Sequence, residues 1–156
     1  MATLTSTIKE KIELDSIEQG GSHTLSIDNV NNTFKRLVTI GASDMVVVTF
    51  QAASHTGSTV GIDQTKVKYI RITNLAASNS VMIALTSNGS VVDSEVTIQL
   101  QAGQSHILCS PVDYMLPNDD ANDTALSTTV GQFTDLTSIR AKSASGAQIE
   151  IFVATS

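Results

Sequence analysis

Val96-Thr97-Ile98-Gln99-Leu100-Gln101 is a strict alternation of apolar and polar side chains. A pleated strand turns successive side chains to opposite faces. This spacing therefore describes a sheet with one dry face and one face open to water or to a partner. The same pattern recurs along most of the chain and constrains it to an all-β architecture.

Further strands follow from the same reading. Ile8, Ile12 and Leu14 fall on one face of a strand, with a helix as the alternative, and Gln19-Gly20-Gly21-Ser22 reads as a turn. His23 to Val30 places Leu25 and Ile27 inward, and Asn29 to Asn32 forms a turn of residues that bond their own backbone. Phe34 to Ile40 and Met45 to Phe50, separated by Gly41-Ala42-Ser43-Asp44, predict a hairpin. Ser54 to Gln64 reads as a long loop. Lys66 to Thr73 sends Ile70 and Ile72 to one side and Val67, Tyr69, Arg71 and Thr73 to the other. Val81, Ile83 and Leu85 point inward, and Asn88-Gly89 marks a hairpin between strands at about 80–87 and 91–101. Ala102-Gly103-Gln104 turns the chain into His106 to Cys109. Ser138 to Lys142 and Ala147 to Val153 close the chain around a turn at Gly146; Ile139, Ala141, Ala147, Ile149, Ile151 and Val153 point inward.

Between them, Ser110 to Leu136 breaks the pattern with Pro111, Pro117 and an acidic run, and a short helix near Thr124 to Val130 could interrupt it. Loops beyond about 12 to 15 residues are usually functional or disordered. The expectation is one domain over residues 1–156: an antiparallel β-sandwich of jelly-roll or Greek-key type, with an N-terminal arm (about 1–14) and a long loop (about 110–136). A chain of 156 residues can bury about 70% of its unfolded surface. With aromatics at 4% and no Trp, the core must be Val, Ile, Leu, Ala and Met.

Charged residues make up only 15%, and Ser with Thr roughly a quarter, which leaves a surface of hydroxyls and amides suited to protein contact. A net charge of −6 argues against neutralising phosphates, so nucleic acid is not an expected partner. Cys109 is the sole cysteine, which rules out an intrachain disulfide and a paired-cysteine zinc site; it is expected to pack as a small apolar residue. Met1 to Ser6 carry no targeting pattern, and no stretch approaches about 18 consecutive apolar residues. A soluble protein without a membrane partner, assembled in a cytoplasm, is expected.

His23, His55 and His106 are far apart in sequence, and no serine sits in a Gly-x-Ser-x-Gly elbow. No His-x-His or His-x-x-His occurs, which disfavours a cupin-like metal centre. Asn118, Asp119, Asp120, Asn122 and Asp123 offer hard oxygens for calcium but lack the spacing, the central glycine and the terminal glutamate of an EF-hand. No catalytic, cofactor or metal residue is therefore assigned, and a solvated loop is the favoured reading of the acidic run. Tyr69 and Phe152 stand opposite the apolar residues of their own strands, which indicates either burial on both sides or a subunit contact; contact is favoured.

The segments Tyr69-Ile70-Arg71-Ile72-Thr73-Asn74-Leu75, Ile98 to Ser105, Ser138 to Ser143 and Ile149 to Ala154 together resemble small virion proteins of tailed bacteriophages, in particular head decoration (cement) proteins of marine and cyanobacterial phages. The likeness covers about residues 66–154 and consists of strand phrases rather than a catalytic signature. It implies a sandwich that assembles, with a trimer favoured, on the outer capsid surface of the virion and bridges neighbouring major capsid subunits. Tyr69, Arg71, Phe152, Tyr114, Met115 and Leu116 are the interface candidates, and the arm Ala2 to Leu14 and the loop Ser110 to Leu136 are expected to reach neighbours. A tail, neck or fibre component is one alternative. A carbohydrate-binding sandwich is another, weakened by the scarcity of aromatics, and an enzyme ranks last.

Overall fold

The computed structural model describes residues 2–51, 61–88, 93–109 and 136–156. Its strands are β1 (Ala2–Lys9), β2 (Glu13–Leu14), β3 (Ile17–Glu18), β4 (Ser22–Val30), β5 (Asn32–Ile40), β6 (Met45–Gln51), β7 (Ile62–Asp63), β8 (Val67–Asn74), β9 (Val81–Asn88), β10 (Asp93–Leu100), β11 (Ser105–Cys109), β12 (Leu136–Lys142) and β13 (Ala147–Thr155), with one 3₁₀ turn at Gln64–Lys66. One sheet runs β11-β8-β13-β5 and the other β10-β9-β12-β6, with β7 added in parallel at the β6 edge. Every other neighbouring pair is antiparallel. Setting β7 aside and counting from β5 as strand 1, the two orders are 6-3-8-1 and 5-4-7-2, the interleaving of an eight-stranded jelly roll.

This order corrects the hairpin expected about Gly41 to Asp44 and makes the turn read at Gly146 a corner. β5 and β6 belong to different sheets, so Gly41 to Asp44 is a corner between layers; the same holds for β12 and β13 about Gly146. A short link serves a hairpin or a corner equally well, and both flanking strands face the core in either case. Only β9 and β10 form the expected hairpin, in register from Asp93↔Asn88 to Leu100↔Val81. Residues 89–92, with the expected turn, lie outside the described residues.

The core is the space between the two sheets. Val81, Ile83, Leu85, Leu100, Ile139 and Phe50 from one layer meet Val38, Ile40, Ile70, Ile72, Ile149, Ile151 and Val153 from the other. The predicted inward residues of β9, β12 and β13 are thus confirmed, Ala147 being half-buried against the cluster. Four details differ from expectation. Val67, read as outward, joins this core, because an irregularity beside Lys68 pairs Thr155 with Val67 and shifts the alternation. Leu136, read as the end of the loop, begins β12 and is fully buried. Methionine is not among the buried described residues: Met45 is exposed and Met82 half-buried, and aliphatic chains fill the layer instead. The predicted loop from Ser54 also ends early, since Ile62–Asp63 pairs with Phe50–Gln51 and Gln64 opens the 3₁₀ turn; residues 52–60 lie outside the described residues.

One end of the sandwich is pinned by amides. Asn74 is fully buried; its Nδ2 donates to the carbonyls of Asn79 (2.7 Å) and Leu100 (3.1 Å), and its Oδ1 accepts from the Ala76 amide (3.0 Å). Asn79 Nδ2 in turn donates to the Gly146 carbonyl at 2.6 Å, and Ser143 Oγ to the Ser80 carbonyl at 2.8 Å. These bonds tie three intersheet corners together where the ladders end and backbone groups would otherwise lack partners. Gly103 (φ 76°) and Gly146 (φ 77°) supply the left-handed backbone that two of those corners need.

The expected arm of about 1–14 is one half of a hairpin that continues to Val30, because β1 pairs antiparallel with β4 from Ala2↔Val30 to Lys9↔Ser22. Its turn is at Asp15-Ser16, both at positive φ (51° and 63°) between the paired Leu14 and Ile17, and not at Gln19 to Ser22. Gly20 serves close approach instead: a Cβ there would stand 2.2 Å from the Glu10 carbonyl oxygen.

Candidate functional site

The outer face of the β11-β8-β13-β5 sheet gathers the predicted contact residues that lie in the described segments. The register sets Phe152 beside Arg71 and Lys35, Glu150 beside Thr73 and Leu37, and Ala154 beside Tyr69. Tyr69 and Phe152 meet edge to face, with ring centroids 6.0 Å apart and planes at 72°. The Arg71 guanidinium lies 5.8 Å from the centre of the Phe152 ring and pairs with Glu150. Lys35 Nζ reaches the other oxygen of the same carboxylate at 2.8 Å. The hydrogen bond from Lys35 first, and the Arg71 charge after it, hold the Glu150 carboxyl below its ordinary range against the opposing effect of burial. Two cations share one anion, so this face is locally positive on a negative protein.

The chain itself covers part of this face. Leu4 and Ser6 of β1 look toward the sheet, while Thr3 and Thr7 bond to Asp28 and Thr24 across the hairpin. Leu4, Ile27 and Val30 pack on Tyr69, Ala154 and Phe152 in a second apolar cluster, with Ile107 and Cys109 at its margin as half-buried side chains. Cys109 thus packs beside apolar neighbours, as expected. Tyr69 is only 4% exposed, and its hydroxyl lies 3.4 Å from Ser6 Oγ. In the single chain the body that covers Tyr69 is therefore its own arm. Phe152 and Arg71 remain half-open along a cleft of about 330 Å³ between β1 and the sheet, lined also by Leu4, Ser6 and Lys35.

The docking ends before the arm does. Beyond Ser6, the large apolar residues of the hairpin are open to solvent: Ile8, Ile12, Leu14, Ile17 and Leu25, from 42% to 61% exposed. Leu25, expected inward, belongs to this overhang, because the sheet beneath the hairpin reaches only to its base. On the sheet face outside the footprint of the arm, Leu37 is 54% exposed. The sheet brings together Tyr69, Arg71 and Phe152, which the sequence singles out, with Glu150 and Lys35, which it does not, although they lie one or two pleats from Phe152 on paired strands.

Other features are structural. The groove of about 460 Å³ bordered by Phe34, Ile62, Asp63, Lys66 and Ser156 has Asp63 as its carboxylate, already bonded by Thr65 Oγ1 at 2.7 Å and the Thr65 amide at 3.0 Å. The Thr65 hydroxyl is the chief reason that carboxyl is held below its usual range. His106 faces inward on β11, and burial lowers its pKa; His23 lies on the arm, and His55 lies outside the described residues. Among the described residues no group of three or more His, Cys, Asp or Glu could hold a metal ion, and no helix is long and apolar enough to cross a membrane. Tyr114, Met115 and Leu116, the acidic run 118–123 and the helix considered at 124–130 all lie outside the described residues. No family model, no curated protein and no solved structure matches the chain.

Proposed function

We propose that this chain is a non-enzymatic structural protein of a tailed-phage virion, a decoration protein that docks on the outer capsid surface and bridges major capsid subunits. The observation that carries the reading is the arm: a hairpin seated by its base on a jelly roll, with an apolar stripe running on past the body. A two-stranded hairpin is marginal in water by itself, so an overhang of this kind is stabilised by what it meets. The hydroxyl-rich surface and the resemblance of the strand phrases to those of cement proteins support the same reading. Decoration of this kind works by mass action, because binding to the assembled lattice opposes its dissociation, and many copies turn a modest contact into avidity.

The test is co-sedimentation of the purified protein with undecorated shells, followed by imaging of particles with and without it. Density at regular sites on the head, at a copy number matching the lattice, is the expected result. Density confined to the tail, neck or fibres would replace the reading with the tail-component alternative, and no particle binding together with hits on a glycan array would replace it with a sugar-binding module. Deleting Met115 to Ala125 should leave the sandwich folded and weaken shell binding. Wild-type binding by that deletion would remove the loop from the contact.

A further inference from the structure

The arm and the sheet face are complementary halves of one contact, and we infer that the overhanging tip of one copy seats on the open part of the outer sheet face of a second copy. This inference builds on the assembly proposed above and names its partner surface. Three observations converge on it.

The first is apolar matching. Ile8, Ile12, Leu14, Ile17 and Leu25 leave roughly 500 Å² of apolar surface on the tip, as large as the biggest patch of an ordinary monomer. A partner face of equal area brings the contact to about 1,000 Å², the lower bound for a specific interface. Leu37 is the exposed large apolar residue of the receiving face, beside the half-open Phe152.

The second is charge. Glu13, Asp15 and Glu18 cluster at the turn with no basic residue between them, and none of the ion pairs among the described residues uses them. The receiving face presents Lys35 and Arg71, whose side chains are 60% and 37% exposed and which have only Glu150 between them. An acidic tip on a locally positive face is favourable in energy and fixes orientation.

The third is continuity. The base of each hairpin already uses this face, through Leu4, Ile27 and Val30 on Tyr69, Ala154 and Phe152. The neighbour's tip extends a contact chemistry that the fold has built once.

A tip-on-face contact is heterologous: each copy gives a tip and receives one, so it propagates around a ring and closes where the rotation allows.

The test reads oligomeric state by analytical ultracentrifugation of the full chain at tens of micromolar, without capsids, so its outcome is independent of the virion reading. Wild type is expected to sediment as a closed oligomer. Leu14→Asp/Ile17→Asp (tip) and Leu37→Asp (face) are each expected to sediment as monomers with an unchanged β circular-dichroism spectrum. A mixture of the two variants should form dimers, because the tip of the face variant and the face of the tip variant are both intact. A monomeric wild type, a tip or face variant that stays oligomeric, or a mixture that stays monomeric would each overturn the inference; an oligomeric face variant would point to a tip-to-tip contact and an oligomeric tip variant to a face-to-face contact.

Discussion

Ile27→Ala separates the two apolar clusters of this protein. Ile27 is buried between the arm and the outer sheet face, with Val30, Tyr69 and Ala154, and takes no part in the core between the sheets. The substitution removes three buried carbon groups at about 0.8 kcal/mol each, so the loss is about 2 kcal/mol, equivalent to roughly a 30-fold shift in an equilibrium constant. The arm is held to the sheet mainly by side chains; beside its exit the Asn31 amide donates to the Thr155 carbonyl. The loss therefore falls on docking of the arm, and an undocked hairpin opens readily. Amide hydrogen exchange should accelerate by roughly 30-fold across β1 and β4, while β9, β12 and β13 keep their protection and the thermal midpoint moves little. Ile72→Ala, in the main core, should instead cost about 2 to 5 kcal/mol and raise exchange everywhere. If Ile27→Ala lowered the global midpoint as much as Ile72→Ala, with uniform exchange, the arm and sandwich would be one cooperative unit and the division into two clusters would be wrong.

Asn74→Ala leaves the Asn79 and Leu100 carbonyls and the Ala76 amide without their partner, and should destabilise by about 2 to 4 kcal/mol in urea titrations. Gly20→Ala drives a methyl group into the Glu10 carbonyl and should disorder the tip, visible as loss of exchange protection at residues 10–21 with the sandwich unaffected. Acid should weaken the fold in two stages. The folded pKa of His106 is lowered by burial, so the unfolded chain takes up the proton first and stability falls as pH drops below about 6.5; His106→Leu should remove this stage. The folded pKa of Glu150 is also lowered, so its contribution is present above about pH 4.5 and is lost below it, and Glu150→Gln should flatten the second stage in urea midpoints measured from pH 7 to 3.

The strands and their faces were legible because alternation is a local property: whichever sheet Ile149, Ile151 and Val153 join, they must share one side of the chain. That Tyr69 and Phe152 each stand on the face opposite the core was legible for the same reason, but their contact was not. What alternation cannot carry is which strand lies beside which. The Gly41 to Asp44 and Gly146 links suit a hairpin or a corner between layers, and packing of two apolar faces against each other decided for corners. Val67 escaped the pattern because one irregularity in register, invisible in its own segment, reverses the face of every residue beyond it. The arm is the largest such case. Ile8, Ile12 and Leu14 announce an apolar stripe, but only the tertiary structure shows where the sheet beneath the hairpin stops, and it is that boundary which leaves the tip exposed.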